Sequence, residues 1–313
     1  MSIKHLPNVA FLFPGQGSQY VGMGQDLYGA DPAVRDLFDE AETLLEFPLK
    51  QICFEGPEEV LKQTRYTQPA IFVHSLAIDL LLRRQGVAPD AAAGHSLGEY
   101  SALVSAGAIA FADGVRLVKI RGELMQRAGD LRPGTMAAIL GLSPEQIESV
   151  CAAAAGEETV QPANFNCPGQ IVISGSVPAV HRAMELAKES GAKIVKELVV
   201  SGAFHSPLMG EALHGLKEAL ATVDVRPAAV PVYSNVKAQP VTSPEEIRAL
   251  LQQQLMAPVR WEEILRNMIA AGHDDFYEVG PGRVLQGLLK RTDRQAACRA
   301  VGTVDDLAME KDG

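Results

Sequence analysis

The chain has 313 residues, of which 47% are hydrophobic and 21% charged, and its formal net charge is -10. Such a chain buries a large core as one large domain or two unequal ones, which excludes a disordered or low-complexity protein. Acidic residues are spread throughout with no basic arm. This argues against broad nucleic-acid binding and leaves room only for a local basic patch.

Asn8 to Phe13 is predicted as the first strand, a nearly continuous apolar run of the kind found in a sheet covered on both faces. Pro14 to Gln19 follows as a glycine-rich loop. It is not a dinucleotide fingerprint, because Tyr20 stands where the third glycine belongs, and no Gly-Lys-Ser/Thr follows to make a P-loop. Helices are predicted over Pro32 to Leu45 and Ala70 to Arg84, a short strand over Ala91 to Ala93, and helices over Leu97 to Ala106 and Phe111 to Ala128. Strands alternating with helices indicate an α/β fold with a mostly parallel sheet.

The rhythm changes near Pro133. Thr135 to Leu140 reads as a strand, Pro144 to Ala155 as a helix, Val160 to Asn164 and Gln170 to Gly175 as strands, Pro178 to Ser190 as a helix and Ile194 to Val200 as a strand. The order β-α-β-β-α-β is that of a ferredoxin-like module. A small domain is therefore expected at 130–199, inserted into a discontinuous large domain at 1–129 and 200–313. In the returning segment, helices are predicted over Glu211 to Ala221, Pro244 to Gln254, Trp261 to Ala271 and Val284 to Arg291. Strands are predicted over Val230 to Ser234 and Asp275 to Val279.

Cys53, Cys151, Cys167 and Cys298 are widely spaced with no CxxC pair, as expected for reduced thiols in a cytoplasmic protein. No apolar run approaches the roughly 18 residues of a membrane span, so no membrane contact is expected. No HExxH, His-x-His or Cys/His cluster offers a metal site, and no bound prosthetic group is implied.

The chemistry-bearing segment is Gly94-His95-Ser96-Leu97-Gly98. A serine between small residues at a strand-to-helix junction sits on a tight turn that lifts its hydroxyl clear of the backbone, facing the unpaired N–H groups of the next helix. Serine needs a base. Of the seven histidines, His205 lies just past the last strand of the small domain, where chain returns across a domain junction. From position alone it is either that base or a cap on the helix near Leu208. His95, beside the serine, is expected to pack, because the turn separates neighbouring side chains. Arg116, Lys119 and Arg121 read as a solvated helix face, and Gln254 as a helix-end glutamine facing solvent. These features fit a serine hydrolase, an acyltransferase or a noncatalytic acyl-binding module.

Phe13-Pro14-Gly15-Gln16-Gly17-Ser18-Gln19, Gly94 to Glu99, Gln161 to Gln170, Gly202-Ala203-Phe204-His205-Ser206-Pro207 and Glu278-Val279-Gly280-Pro281-Gly282 occur in one order. Together they make the chain, from about Val9 to Val304, resemble the malonyl-CoA:acyl-carrier-protein transacylases of bacterial fatty-acid synthesis. The resemblance implies a hydrolase-like large domain with an inserted ferredoxin-like one. It implies Ser96 as nucleophile and His205 as base, with the imidazole oriented by a backbone carbonyl at Gln254. Oxyanion donors are implied at the Gln16 and Leu97 N–H groups. Arg121 is implied to grip the malonyl carboxylate, Phe204 to exclude an α-methyl group, and Asn164 to line the pocket, with Asn166 the neighbouring alternative in register. The implied partners are malonyl-CoA, coenzyme A and an acidic acyl carrier protein, the last docking on a patch such as Arg182, Lys188, Lys193 and Lys196. The protein is expected to act as a monomer.

Overall fold

The computed structural model describes residues 8–311. Ten strands form two sheets among them: β1 (Val9–Phe13), β2 (Ala91–Gly94), β3 (Gly134–Leu140), β4 (Val160–Cys167), β5 (Gln170–Ser176), β6 (Ile194–Glu197), β7 (Val232–Tyr233), β8 (Pro240–Val241), β9 (Asp275–Val279) and β10 (Ala297–Val301). The larger sheet runs β10-β9-β1-β2-β7-β8; every pairing is parallel except that of β8 on β7. β1 sits at its centre, with Phe13 opposite Gly94 of β2. Ala10 and Leu12 join one core, Phe11 and Phe13 the other, so both sheet faces are covered. This is the hydrolase-like α/β architecture expected.

The second sheet, β4-β5-β3-β6, is antiparallel throughout. Helices Pro144–Ala155 and Val177–Glu189 complete a β-α-β-β-α-β unit with its own core of Ala137, Ile139, Ile147, Ile173 and Val180. The first helix opens with a reciprocal capping box between Ser143 and Gln146. The chain entering and leaving this unit touches itself: a Cβ on Gly129 would lie 1.8 Å from the Ser201 carbonyl oxygen. Adjacent ends are what an insertion into a surface loop requires.

Helices Pro32–Leu45 and Pro244–Gln254, and strand Asp275–Val279, lie where the pattern puts them. One helix differs more: it runs Thr64–Arg84 and carries Pro69 inside. In its early turns Thr64, Thr67 and Gln68 are buried, and the Thr67 hydroxyl bonds the Gln63 carbonyl at 3.1 Å. Strand β10 and the short helices Gln25–Ala30, Leu49–Phe54 and Glu58–Leu61 are additions to the sequence reading. The predicted Val230 to Ser234 strand shrinks to two residues, and Ile194 to Val200 stops at Glu197.

Candidate active site

The site lies at the C-terminal end of β2, beside the central strand. Ser96 has φ 51, a left-handed conformation uncommon for a non-glycine residue. The turn closes only because its neighbours lack side chains. A Cβ on Gly94 would fall 1.8 Å from the Gly98 carbonyl carbon, and one on Gly98 would fall 2.1 Å from the Phe13 carbonyl oxygen. The turn is pinned from outside by Asn235, whose Oδ1 accepts from the Ser96 N–H at 2.7 Å while its Nδ2 donates to the Gly94 carbonyl at 2.7 Å.

Ser96 Oγ lies 2.8 Å from His205 Nε2. On the far side of the ring, Nδ1 is 2.9 Å from the Gln254 backbone carbonyl. A carbonyl only accepts, so Nδ1 carries the proton and Nε2 is left as the lone-pair nitrogen facing the serine. Gln161 Nε2 donates to the His205 carbonyl at 3.0 Å and fixes its backbone. Burial, followed by the charge of Arg121, pushes the His205 pKa down to about 3 against the pull of the Gln254 carbonyl. The imidazole is therefore neutral at physiological pH and free to take a proton.

Arg121 is 1% exposed, not part of a solvated face. Its Nη1 donates to Gln68 Oε1 at 2.8 Å; its Nη2 donates to Gln254 Oε1 at 3.0 Å and to Ser96 Oγ at 3.1 Å. The guanidinium also lies 5.3 Å from the centre of the Tyr100 ring. All these direct partners are neutral, and no carboxylate forms an ion pair with it among the described residues. A buried cation with only neutral acceptors is electrostatically suited to receive an anion.

Gln254 is fully buried, not solvent-facing. Beyond accepting from Arg121, its side chain donates to the Ser96 carbonyl at 2.9 Å and to Glu99 Oε2 at 2.7 Å. Among the described residues the N–H groups of Gln16 and Leu97 have no acceptor, whereas that of Ser96 is occupied by Asn235.

Two adjoining cavities open here. The inner one, about 110 Å³, is lined by Gln16, Ser96, Arg121, Met136, Phe204 and His205, among others. The outer one, about 210 Å³, runs between the Gly15–Ser18 loop, Asn166, Gln170 and the helix residues Val284 and Leu288. Gln16, His95, Asn164 and Leu198 line both. Asn164 is buried where the two cavities meet, whereas Asn166 lines the outer one and bonds His95 Nε2 at 2.9 Å. His95 does pack, edge-on against Trp261, and it forms cavity wall as well. Sequence reasoning gave no role to Gln68, Glu99 or Asn235. Gln68 carried no signal, because it precedes the predicted Ala70 to Arg84 helix.

A polarised alcohol, a neutral imidazole and two N–H groups with no acceptor among the described residues, beside a pocket, are equipment for covalent acyl chemistry, and on a hydrolase-like sheet they define the serine-dependent acyl-transfer enzymes. The acyl transferase domain model matches residues 10–309. The malonyl CoA-acyl carrier protein transacylase of Bacillus subtilis is 48% identical over 305 residues, covering 97% of this chain and 96% of its own. The solved transacylase of Coxiella burnetii superposes with a TM-score of 0.94 at 41% identity, over 98% of this chain and 97% of its own. A malonyl-transacylase solved in complex with its type II PKS acyl-carrier protein gives a TM-score of 0.94 at 42% identity, over 97% and 99%. The chain belongs to the malonyl-CoA:acyl-carrier-protein transacylase family.

No described helix is long and apolar enough to cross a membrane. Among the described residues no cluster of three or more His, Cys, Asp or Glu could hold a metal ion. Two members of the expected basic patch are engaged locally: Arg182 with Glu158 at 2.7 Å and Lys188 with Glu185 at 2.7 Å.

Proposed function

We infer that the protein transfers the malonyl group from malonyl-CoA to the phosphopantetheine thiol of acyl carrier protein through a malonyl ester on Ser96. The observation that carries this reading is the position of Ser96 Oγ, between His205 Nε2 at 2.8 Å and Arg121 Nη2 at 3.1 Å. His205 takes the Ser96 proton as Oγ attacks the thioester carbon. The Gln16 and Leu97 N–H groups receive the oxyanion, and the tetrahedral species collapses as His205 returns the proton to the departing coenzyme A sulfur. The carrier thiol then gives its proton to His205, attacks the ester carbon and leaves with the malonyl group, restoring the Ser96 hydroxyl.

Arg121 meets the free carboxylate of the acyl group, which replaces some of its neutral acceptors with a charged one. Phe204 occupies the space an α-methyl substituent would need. Asn164 lines the junction between the acyl pocket and the outer cavity, which suits the pantetheine arm. Burial of the ester keeps water from competing with the thiol. We take 130–199 as the inserted domain, with 1–129 and 200–313 as the catalytic one, because β3 to β6 all fall within 134–197. A monomer fits a site assembled wholly within one chain, and four free cysteines fit the cytoplasm.

The test is intact mass after mixing with malonyl-CoA, followed by peptide mapping. Gain of one malonyl group on Ser96, its absence in Ser96→Ala and its discharge by carrier protein are expected. Release of malonate in place of malonyl-carrier protein would make the enzyme a hydrolase and overturn the reading.

A further inference from the structure

Glu99 lies one turn beyond Ser96 in the Gly98–Ser105 helix and is 4% exposed. Its Oε2 accepts from Gln254 Nε2 at 2.7 Å and from the Asn235 backbone N–H at 3.2 Å. Those two residues reach the whole reacting centre. Asn235 clamps Ser96 N–H and the Gly94 carbonyl, and Gln254 holds the Ser96 carbonyl and Arg121 while its own carbonyl orients His205. One carboxylate oxygen thus joins the two arms that fix nucleophile, base and anion receptor. A fully buried acid contacting no reacting atom is costly unless it serves such a purpose.

We propose that Glu99 is a positioning residue of the malonyl-transfer reaction, holding the elbow, the imidazole and the guanidinium in one register through Asn235 and Gln254. This rests on the functional reading above. Its charge state governs how firmly: a carboxylate accepts both N–H bonds more strongly than a neutral acid. Burial pushes the Glu99 pKa up to about 7, opposed by Gln254, Asn235, Arg121 and Ser234. Among the other groups facing this network, Tyr100 is pushed up to about 12, Arg121 remains a cation, and His205 is pushed down to about 3. His95, which bears on His205, is likewise lowered by burial. Glu99 is therefore the group that ionises near neutrality, and the reaction should strengthen as it does.

The experiment follows the rate of malonyl-Ser96 formation by rapid quench and mass spectrometry from pH 5.5 to 8.5, in wild type, Glu99→Gln and Glu99→Ala. Wild type is expected to show a rise of about tenfold with an inflection near 7. Glu99→Gln keeps shape and one acceptor oxygen. Its rate is expected to fall about tenfold at pH 8, with a flat profile and little change in KM for malonyl-CoA. A hundredfold fall is expected for Glu99→Ala. A flat wild-type profile would overturn the proposal, as would an inflection that persists in Glu99→Gln or variant rates within threefold of wild type. The wild-type arm decides even if a variant fails to fold. Failure of wild type to form the ester at all would overturn the functional reading and this proposal with it.

Discussion

Replacing Arg121 by alanine tests the pocket most directly. Its guanidinium is buried, bonded to neutral Gln68, Gln254 and Ser96, and lacks an ion-pair partner among the described residues. In the proposed reaction, bound malonyl supplies that carboxylate. Removing one partner of a buried charge pair costs about 3–5 kcal/mol, because the other charge stays buried alone. At about 1.36 kcal/mol per decade, kcat/KM for malonyl-CoA should fall about 10²- to 10⁴-fold. Acetyl-CoA has no carboxylate to strand and should lose about tenfold at most. It regains part of that because the Arg121 charge, which adds to burial in holding the His205 pKa down, is gone. The malonyl-to-acetyl ratio therefore collapses by about 10- to 10⁴-fold. Rates of ester formation with both thioesters, on protein whose melting curve confirms folding, decide the matter. A ratio unchanged to within threefold would refute the assignment. Arg121→Lys should fall between, since an ammonium cannot reproduce the planar fork.

Phe204→Ala enlarges the acyl pocket, so methylmalonyl-CoA should gain about 10- to 100-fold relative to malonyl-CoA, read from competing acylation by mass spectrometry. Gly98→Ala would force a Cβ to 2.1 Å from the Phe13 carbonyl oxygen, so a loss of roughly 4 kcal/mol or more, or no folded protein, is expected in urea unfolding. His205 titrates near 3 in the folded protein against 6.5 for an unperturbed imidazole. Between those values the unfolded chain binds the extra proton, so its contribution to stability is intact above about 6.5 and declines as pH falls toward 3. Measured by urea unfolding at pH 7 and pH 4.5, wild type should lose about 2 kcal/mol more than His205→Gln over that interval. Parallel losses would show that the imidazole is not buried in its neutral form.

What was legible in the sequence follows from how local each constraint is. The elbow could be read directly because its geometry is carried by five consecutive residues, and the small domain because most of its elements are long enough to show a period. β10, at the sheet edge, is half-exposed and carries no continuous apolar run, and helices of four to six residues are too short to show a period. Arg121 misleads for a tertiary reason. Its helix approaches its neighbours through glycines: a Cβ on Gly114 would lie 2.5 Å from Phe72, on Gly122 3.0 Å from Arg65, and on Gly129 1.8 Å from Ser201. That close approach draws the adjacent arginine inward, while Arg116 and Lys119 stay outside to pair with Asp113 and Glu46. Gln254 is harder still, because any residue offers the carbonyl that orients an imidazole, so that role leaves no mark on side-chain identity. The glutamine is explained by its other face. One amide must donate to the Ser96 carbonyl and Glu99 while accepting from Arg121, and a side chain with both an N–H₂ and a carbonyl meets all three demands.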